Sequence, residues 1–206
     1  MKILLSGGGS PEQVKPLDEY FANQMRGGIV LYIPIAMDKD RYDSCKKWFI
    51  NTYAKYEFVI EFCTDLNKIK SLEKYTGVFI GGGNTFKLLK EVKETGFDKL
   101  LKKYLNNNGF VYGGSAGAII FGKNILTSSH ADKNKVNLID MSGLNLINGY
   151  NVWCHYNSKK DYNRVLNLKD KTLVLFEESG ILYNGKNFVN FGKECLYFPD
   201  DFEKYN

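Results

Sequence analysis

Five short apolar runs, KILLS, GIVLYIPIA, YEFVIEF, GVFIGG and GFVYGG, recur along the first half of the chain, each rich in β-branched or aromatic residues and closed by glycine, proline or a polar turn. Between most of them lie stretches with helical spacing of apolar residues: LDEYFANQM, DSCKKWFINTYAKY and NTFKLLKEVKETGFDKLLKKYLNNN. Alternation of this kind predicts an α/β fold, a mostly parallel central sheet with helices on both faces. After residue 122 the pattern changes. LNLIN, NVWCHYN, KTLVLFEE, GILYNG and NFVNFG read as strands, SKKDYNRVLNL as a helix, and YNGKNF as a hairpin turn, so the C-terminal part is expected to be strand-rich. No linker, internal repeat or low-complexity block interrupts the chain, and residues 1–206 are expected to form one domain.

With 206 residues, 44% of them hydrophobic, the chain can bury a core of ordinary size. No window reaches the length of a membrane span, and MKILLSGGGSP breaks into glycines where a signal peptide would continue its apolar run. A cytoplasmic protein without a membrane partner is the expectation. The net charge of +5 is mild and spread along the chain, which argues against a nucleic-acid partner. Cys45, Cys63, Cys154 and Cys195 are far apart, and there are two histidines, so neither a metal nor an organic cofactor is expected.

Three glycine-rich turns follow predicted strands. SGGGSPE lacks the third glycine of a dinucleotide fingerprint and the lysine of a P-loop, and reads as a plain tight turn. VFIGGGNTFKLL places Gly81, Gly82 and Gly83 before a helix with Asn84 as its N-cap, where backbone N–H groups can face a ligand. Taken alone, it fits a simple strand-to-helix turn equally well. GFVYGGSAGAIIFG satisfies G-x-S-x-G at Gly113, Ser115 and Gly117 between a predicted strand and a predicted helix, the context of a nucleophile elbow. Ser115 would then stand at a helix N-terminus, with the Ala116 N–H aimed at a developing oxyanion; a helix-capping serine is the alternative.

A serine nucleophile needs a base and an acid to orient it. His155, at the end of the strand in NGYNVWCHYNS, fits the first role, whereas His130 in TSSHADKNK suits a solvated side chain or a substrate contact. Glu177 and Glu178 follow the apolar strand of LVLFEESGIL, where a carboxylate can project from a strand end.

In this order and spacing, GGGNTFKLL, YGGSAGA, HYN and EESGIL resemble the dipeptidase E family, the aspartyl dipeptidases related to cyanophycinase, and the similarity runs from the first strand to about residue 192. The resemblance implies a class I glutamine amidotransferase-like fold with serine on the elbow, and a serine peptidase that hydrolyses small peptides through an acyl-enzyme. It implies Ser115 as nucleophile, His155 as base and later acid, Glu178 as the orienting carboxylate, and Gly83 and Ala116 as oxyanion donors. The family's aspartate in the loop after the elbow helix is replaced in an ungapped match by His130, with Asp132 two residues on. The family's arginine-bearing segment after the catalytic histidine is shorter here and offers Arg164, beside Lys159 and Lys160. Asp132 and Arg164 are therefore the expected substrate-binding residues, and preference for N-terminal aspartate is the expected specificity. Two rivals compete: an α/β-hydrolase esterase with Asp140 preceding His155 as the acid, though no HGGG segment is present, and a non-catalytic binding or regulatory module on the same fold.

Overall fold

The computed structural model describes residues 1–202. Strands Lys2–Ser6 (β1), Ile29–Ile33 (β2), Val59–Phe62 (β3), Gly77–Ile80 (β4) and Phe110–Gly114 (β5) alternate with helices Pro11–Gln24 (α1), Tyr42–Tyr53 (α2), Thr85–Glu94 (α3) and Phe97–Asn106 (α4). A single turn, Ala116–Ile119 (α5), follows β5; Asn151–Trp153 (β6), Ser158–Leu166 (α6), Thr172–Val174 (β7), Ser179–Tyr183 (β8), Phe188–Gly192 (β9) and Leu196–Phe198 (β10) complete the order. The first five strands are parallel to one another in a seven-stranded sheet ordered β3-β2-β4-β5-β1-β8-β9, and the β8–β9 hairpin closes the edge at β1 antiparallel. A smaller sheet, β10-β7-β6, stands beside it. The fold is thus the mixed α/β arrangement, with a mostly parallel sheet, that the alternating pattern predicts.

Side chains along a strand point alternately to the two faces, and here the two faces differ in chemistry. Ile3, Leu5, Leu31, Ile33, Val78, Ile80 and Val111 share a largely aliphatic core with Leu88, Leu89 and Leu101 of α3 and α4. Their neighbours in the same strands, Tyr32, Phe79, Phe110 and Tyr112, pack with Phe21 of α1 and Phe49 and Tyr53 of α2 in an aromatic layer. Trp153, Tyr156, Val165, Val174 and Phe202 form a third cluster around the small sheet.

Two segments depart from expectation. The long helical stretch between β4 and β5 is two helices, because Gly96 takes φ +71 and turns the chain between α3 and α4. LNLIN forms no strand; Leu144 and Leu146 donate their N–H groups to Ile120 and Phe121 carbonyls (2.8 and 3.0 Å), tying the segment to the elbow turn instead of a sheet.

Candidate active site

The C-terminal ends of β1, β4 and β5 lie side by side, and each runs into a glycine-rich turn. Open parallel sheets bind ligands at this edge. Ser115 follows β5 as the N-cap of α5 with φ 48 and ψ −109, a positive-φ, strained backbone at the turn. The glycines around it are required by close approach: a Cβ on Gly117 would sit 2.2 Å from the Ile80 carbonyl oxygen, so a side chain there would push the elbow off β4. The helix that follows is one turn, so any anion held at Ser115 depends on nearby N–H groups more than on an extended helix dipole.

His155 lies just beyond β6, held by its own N–H donating to the Gly7 carbonyl (3.1 Å). Its Nε2 is 2.9 Å from Ser115 Oγ, and its Nδ1 is 3.3 Å from Glu177 Oε1. A carboxylate can only accept, so Nδ1–H donates to Glu177 and Nε2 is left to accept the serine proton. The carboxylate on the imidazole is therefore Glu177, in place of the expected Glu178. Glu178 carries its carboxylate to Lys193 Nζ (3.2 Å), and its own backbone N–H together with that ammonium holds its pKa below the ordinary carboxylate value. The turn that carries them is fixed by its carbonyls, Glu177 O accepting from Gly9 N–H and Glu178 O from Lys193 N–H, both at 3.1 Å, and Lys193 thereby stands where it also takes the Glu178 carboxylate.

The Gly81 and Asn84 N–H groups hold the second turn by donating to Ile33 and Ala36 carbonyls (3.0 and 2.9 Å). Gly82 and Gly83 lie between them. A Cβ on Gly82 would come 3.3 Å from Ser115 Cβ, and Gly83 lines a cavity of about 270 Å³ that also contains Ser115, Thr85, His130, Asp132 and His155. Asp132 accepts the Thr85 N–H on Oδ2 (2.8 Å), while His130 stacks on Trp153 with ring centroids 4.3 Å apart and its Nδ1–H donates to the Thr127 carbonyl (2.8 Å). The fold thus brings Ser115, His155, Gly83 and Asp132 together. Arg164 is not among the residues lining the cavities at Ser115 and His155; its guanidinium donates to Asp161 (3.0 Å). Lys159 does line a cavity of about 410 Å³ with His155 and Glu177. Asp140, the acid of the esterase rival, is bound to Lys93 (2.6 Å) and the Ser142 N–H (2.9 Å), so the Ser-Asp-His order of that rival is not built.

Sequence reasoning missed Gly8. The first glycine turn is more than a tight turn: Gly8 has φ +96, and a Cβ there would fall 2.5 Å from His155 Cε1 and 3.0 Å from Ser115 Cβ. Cys154, the neighbouring thiol, is buried and donates weakly to Ser6 and Ser115 carbonyls (3.7 Å each); burial pushes its pKa well up, so it remains protonated and is no rival nucleophile. Among the described residues no group of three His, Cys, Asp or Glu side chains is placed to hold a metal ion, and no helix is long and apolar enough to cross a membrane.

The sequence profile of peptidase family S51 matches residues 3–191. An uncharacterized peptidase of Listeria monocytogenes is 31% identical over 154 residues, covering 71% of this chain and 75% of that protein. Peptidase E of Haemophilus influenzae is 28% identical over 122 residues, 59% of this chain and 52% of its own length. The crystal structure of a L. monocytogenes protein provisionally named peptidase E superposes with a TM-score of 0.76 at 25% identity, covering 94% of this chain and 98% of that one. A peptidase from an acI-B1 actinobacterium shares the fold, with a TM-score of 0.70 at 15% identity over 96% of each chain.

Proposed function

The chain belongs to peptidase family S51, a peptidase of the serine type by family, and from that premise we propose that it hydrolyses dipeptides through an acyl-enzyme on Ser115. The observation that carries this reading is the continuous path Ser115 Oγ, His155, Glu177, with steps of 2.9 and 3.3 Å. His155 Nε2 takes the serine proton as Oγ attacks the peptide carbonyl, and N–H groups of Ala116 and of Gly82 or Gly83 hold the oxyanion. The imidazolium, steadied by Glu177, returns its proton to the leaving amine. Water then repeats the sequence on the ester and frees the N-terminal residue. Glu178 stands outside this path.

Preference for an N-terminal aspartate is the finer part of the proposal. Support comes from Lys159 in the cavity beside His155, whereas Arg164 is already engaged by Asp161. A cytoplasmic setting is supported by the four free thiols.

The test is a panel of Asp-, Glu-, Ala- and Leu-led dipeptides with the wild type and Ser115→Ala, alongside labelling by a fluorophosphonate. Cleavage and labelling in the wild type, both lost in the variant, are expected. A folded wild type that neither labels nor cleaves would put the binding-module reading in front, and equal rates for Asp- and Ala-led substrates would remove the aspartate preference alone.

A further inference from the structure

Ser115 also lines a second cavity, of about 160 Å³, to which His155 does not contribute. Its walls are Ser6, Gly8, Gly82 and Trp48, and Asp18 of α1 reaches it from the aromatic layer. Asp18 stands on the buried stripe of its helix, with Val14, Leu17, Phe21 and Ala22, and is only 6% exposed. It accepts the Tyr53 hydroxyl (2.8 Å), and the buried Tyr112 hydroxyl bonds it as well, so its partners are neutral phenols and not a cation. No ion pair among the described residues includes Asp18, and no lysine or arginine lines the cavity. Buried carboxyls are ordinarily matched by a cation, because removing the charge from water without one is costly. Here the match is missing, the carboxyl shares a cavity with the nucleophile, and the rings of Tyr32, Trp48 and Phe79 complete the lining. Carboxylate and aromatic faces together suit an alkylammonium.

We infer that this cavity receives an ammonium group of the residue that acylates Ser115, with Asp18 as its counter-ion. The inference rests on the acyl-transfer reading of Ser115 and assigns the recognition to the cavity that His155 does not line. Its size matters as well. A space of about 160 Å³ is similar to an engineered cavity of roughly 150 Å³ that holds benzene, so it has room for an ammonium group and the carbon that bears it. Two sources offer the same ammonium chemistry: the α-amino group of a peptide's first residue, or the side chain of a lysine.

Three anilides separate these sources: alanyl, N-acetylalanyl and N-acetyllysyl. kcat/KM is measured for each with the wild type and with Asp18→Asn, and Ser115 labelling by a fluorophosphonate is followed in both proteins. The wild type is expected to prefer an ammonium-bearing anilide over N-acetylalanyl by roughly 10²-fold, the scale of one buried charged partner, with the loss carried by KM. In Asp18→Asn that preference should collapse at least tenfold. Preference for alanyl assigns the α-amino group, and preference for N-acetyllysyl assigns the side chain; both support Asp18. Equal kcat/KM on all three anilides by a wild type that labels normally would overturn the inference while leaving the serine mechanism standing, as would an Asp18→Asn variant that keeps the preference. A folded wild type that neither labels nor cleaves overturns the mechanism and this inference with it. If Asp18→Asn fails to fold, Trp48→Ala replaces it, since Trp48 lines the same cavity from an exposed position: a collapsed preference supports the inference and an unchanged one overturns it.

Discussion

On one side of Ser115 the polar groups stand on loops and meet solvent: His155 and Glu177 keep 43% and 51% of their side-chain surface. On the other side a carboxyl of α1, largely buried against the aromatic face of the sheet, stands in the wall of the second cavity. The first arrangement suits proton transfer, which needs groups free to change charge beside water, and strand ends and turns supply them. The second suits recognition, which gains from a charge held rigidly where water cannot compete. Changes on the His155 side should therefore appear in kcat, and changes on the Asp18 side in KM and in the stability of the fold.

The largest effect expected is from Ser115→Ala, which removes the group shared by both sides. Turnover should fall by roughly 10⁶-fold with far-UV dichroism intact, read by release of the N-terminal residue from a dipeptide. Next is the pair of adjacent glutamates. Glu177→Gln should lower kcat by about 10³ to 10⁴-fold, because the imidazole loses the partner that fixes its tautomer, while Glu178→Gln should stay within a factor of a few. The reverse order would return the orienting role to Glu178 and dissolve the His155 side as described.

The Asp18 side is sharpened by pH. Burial raises the Asp18 pKa from its ordinary 3.8 to about 6. Between these values the folded protein keeps a proton that the unfolded chain releases, so stability falls as pH rises through that window, and the loss is complete above it. Asp18→Asn removes the penalty. Relative to wild type it should gain at most about 3 kcal/mol at pH 8 and nothing near pH 3, measured by urea unfolding at both values. A gain equal at both pH values would place the effect in packing instead of charge. The smallest of the activity effects expected on the His155 side, apart from Glu178, is that of Gly8→Ala. The added methyl must displace the imidazole, and about 10² in kcat should be lost with KM little altered.

Much of this was legible before any coordinates. The strand and helix alternation of the first half and the hairpin at YNGKNF follow from periodicity and turn chemistry, which are local properties. Ser115 stood out because bulk is missing on both sides of it, and His155 because histidine is so scarce here. The illegible parts depend on contacts distant in sequence. Glu177 and Glu178 are chemically identical neighbours, and the choice between them is made by Gly9 and Lys193, far away along the chain. Gly8 looks like any turn glycine until His155 is brought over it. Asp18 drew no attention within LDEYF, although its spacing from Val14 and Ala22, four residues each way, places it on the buried stripe. LNLIN misled because alternating apolar residues also suit a loop pressed onto a core.

The seven-stranded sheet carries Ser115, whereas His155 follows β6 of the small sheet, whose Trp153 and Tyr156 are bonded to Leu175 (2.8 and 3.0 Å) and pack in a cluster of their own. The 2.9 Å contact between Oγ and Nε2 thus joins two sheets that are also stitched together around it: the His155 N–H donates to the Gly7 carbonyl (3.1 Å), the Lys123 N–H to the Tyr150 carbonyl (3.0 Å), and Val152, Leu173 and Leu175 pack in the same aliphatic core as Ile3 and Leu5 of β1. Elements that share a core open together. On warming, activity and the exchange protection of the β1 amides are then expected to be lost over the same temperature range.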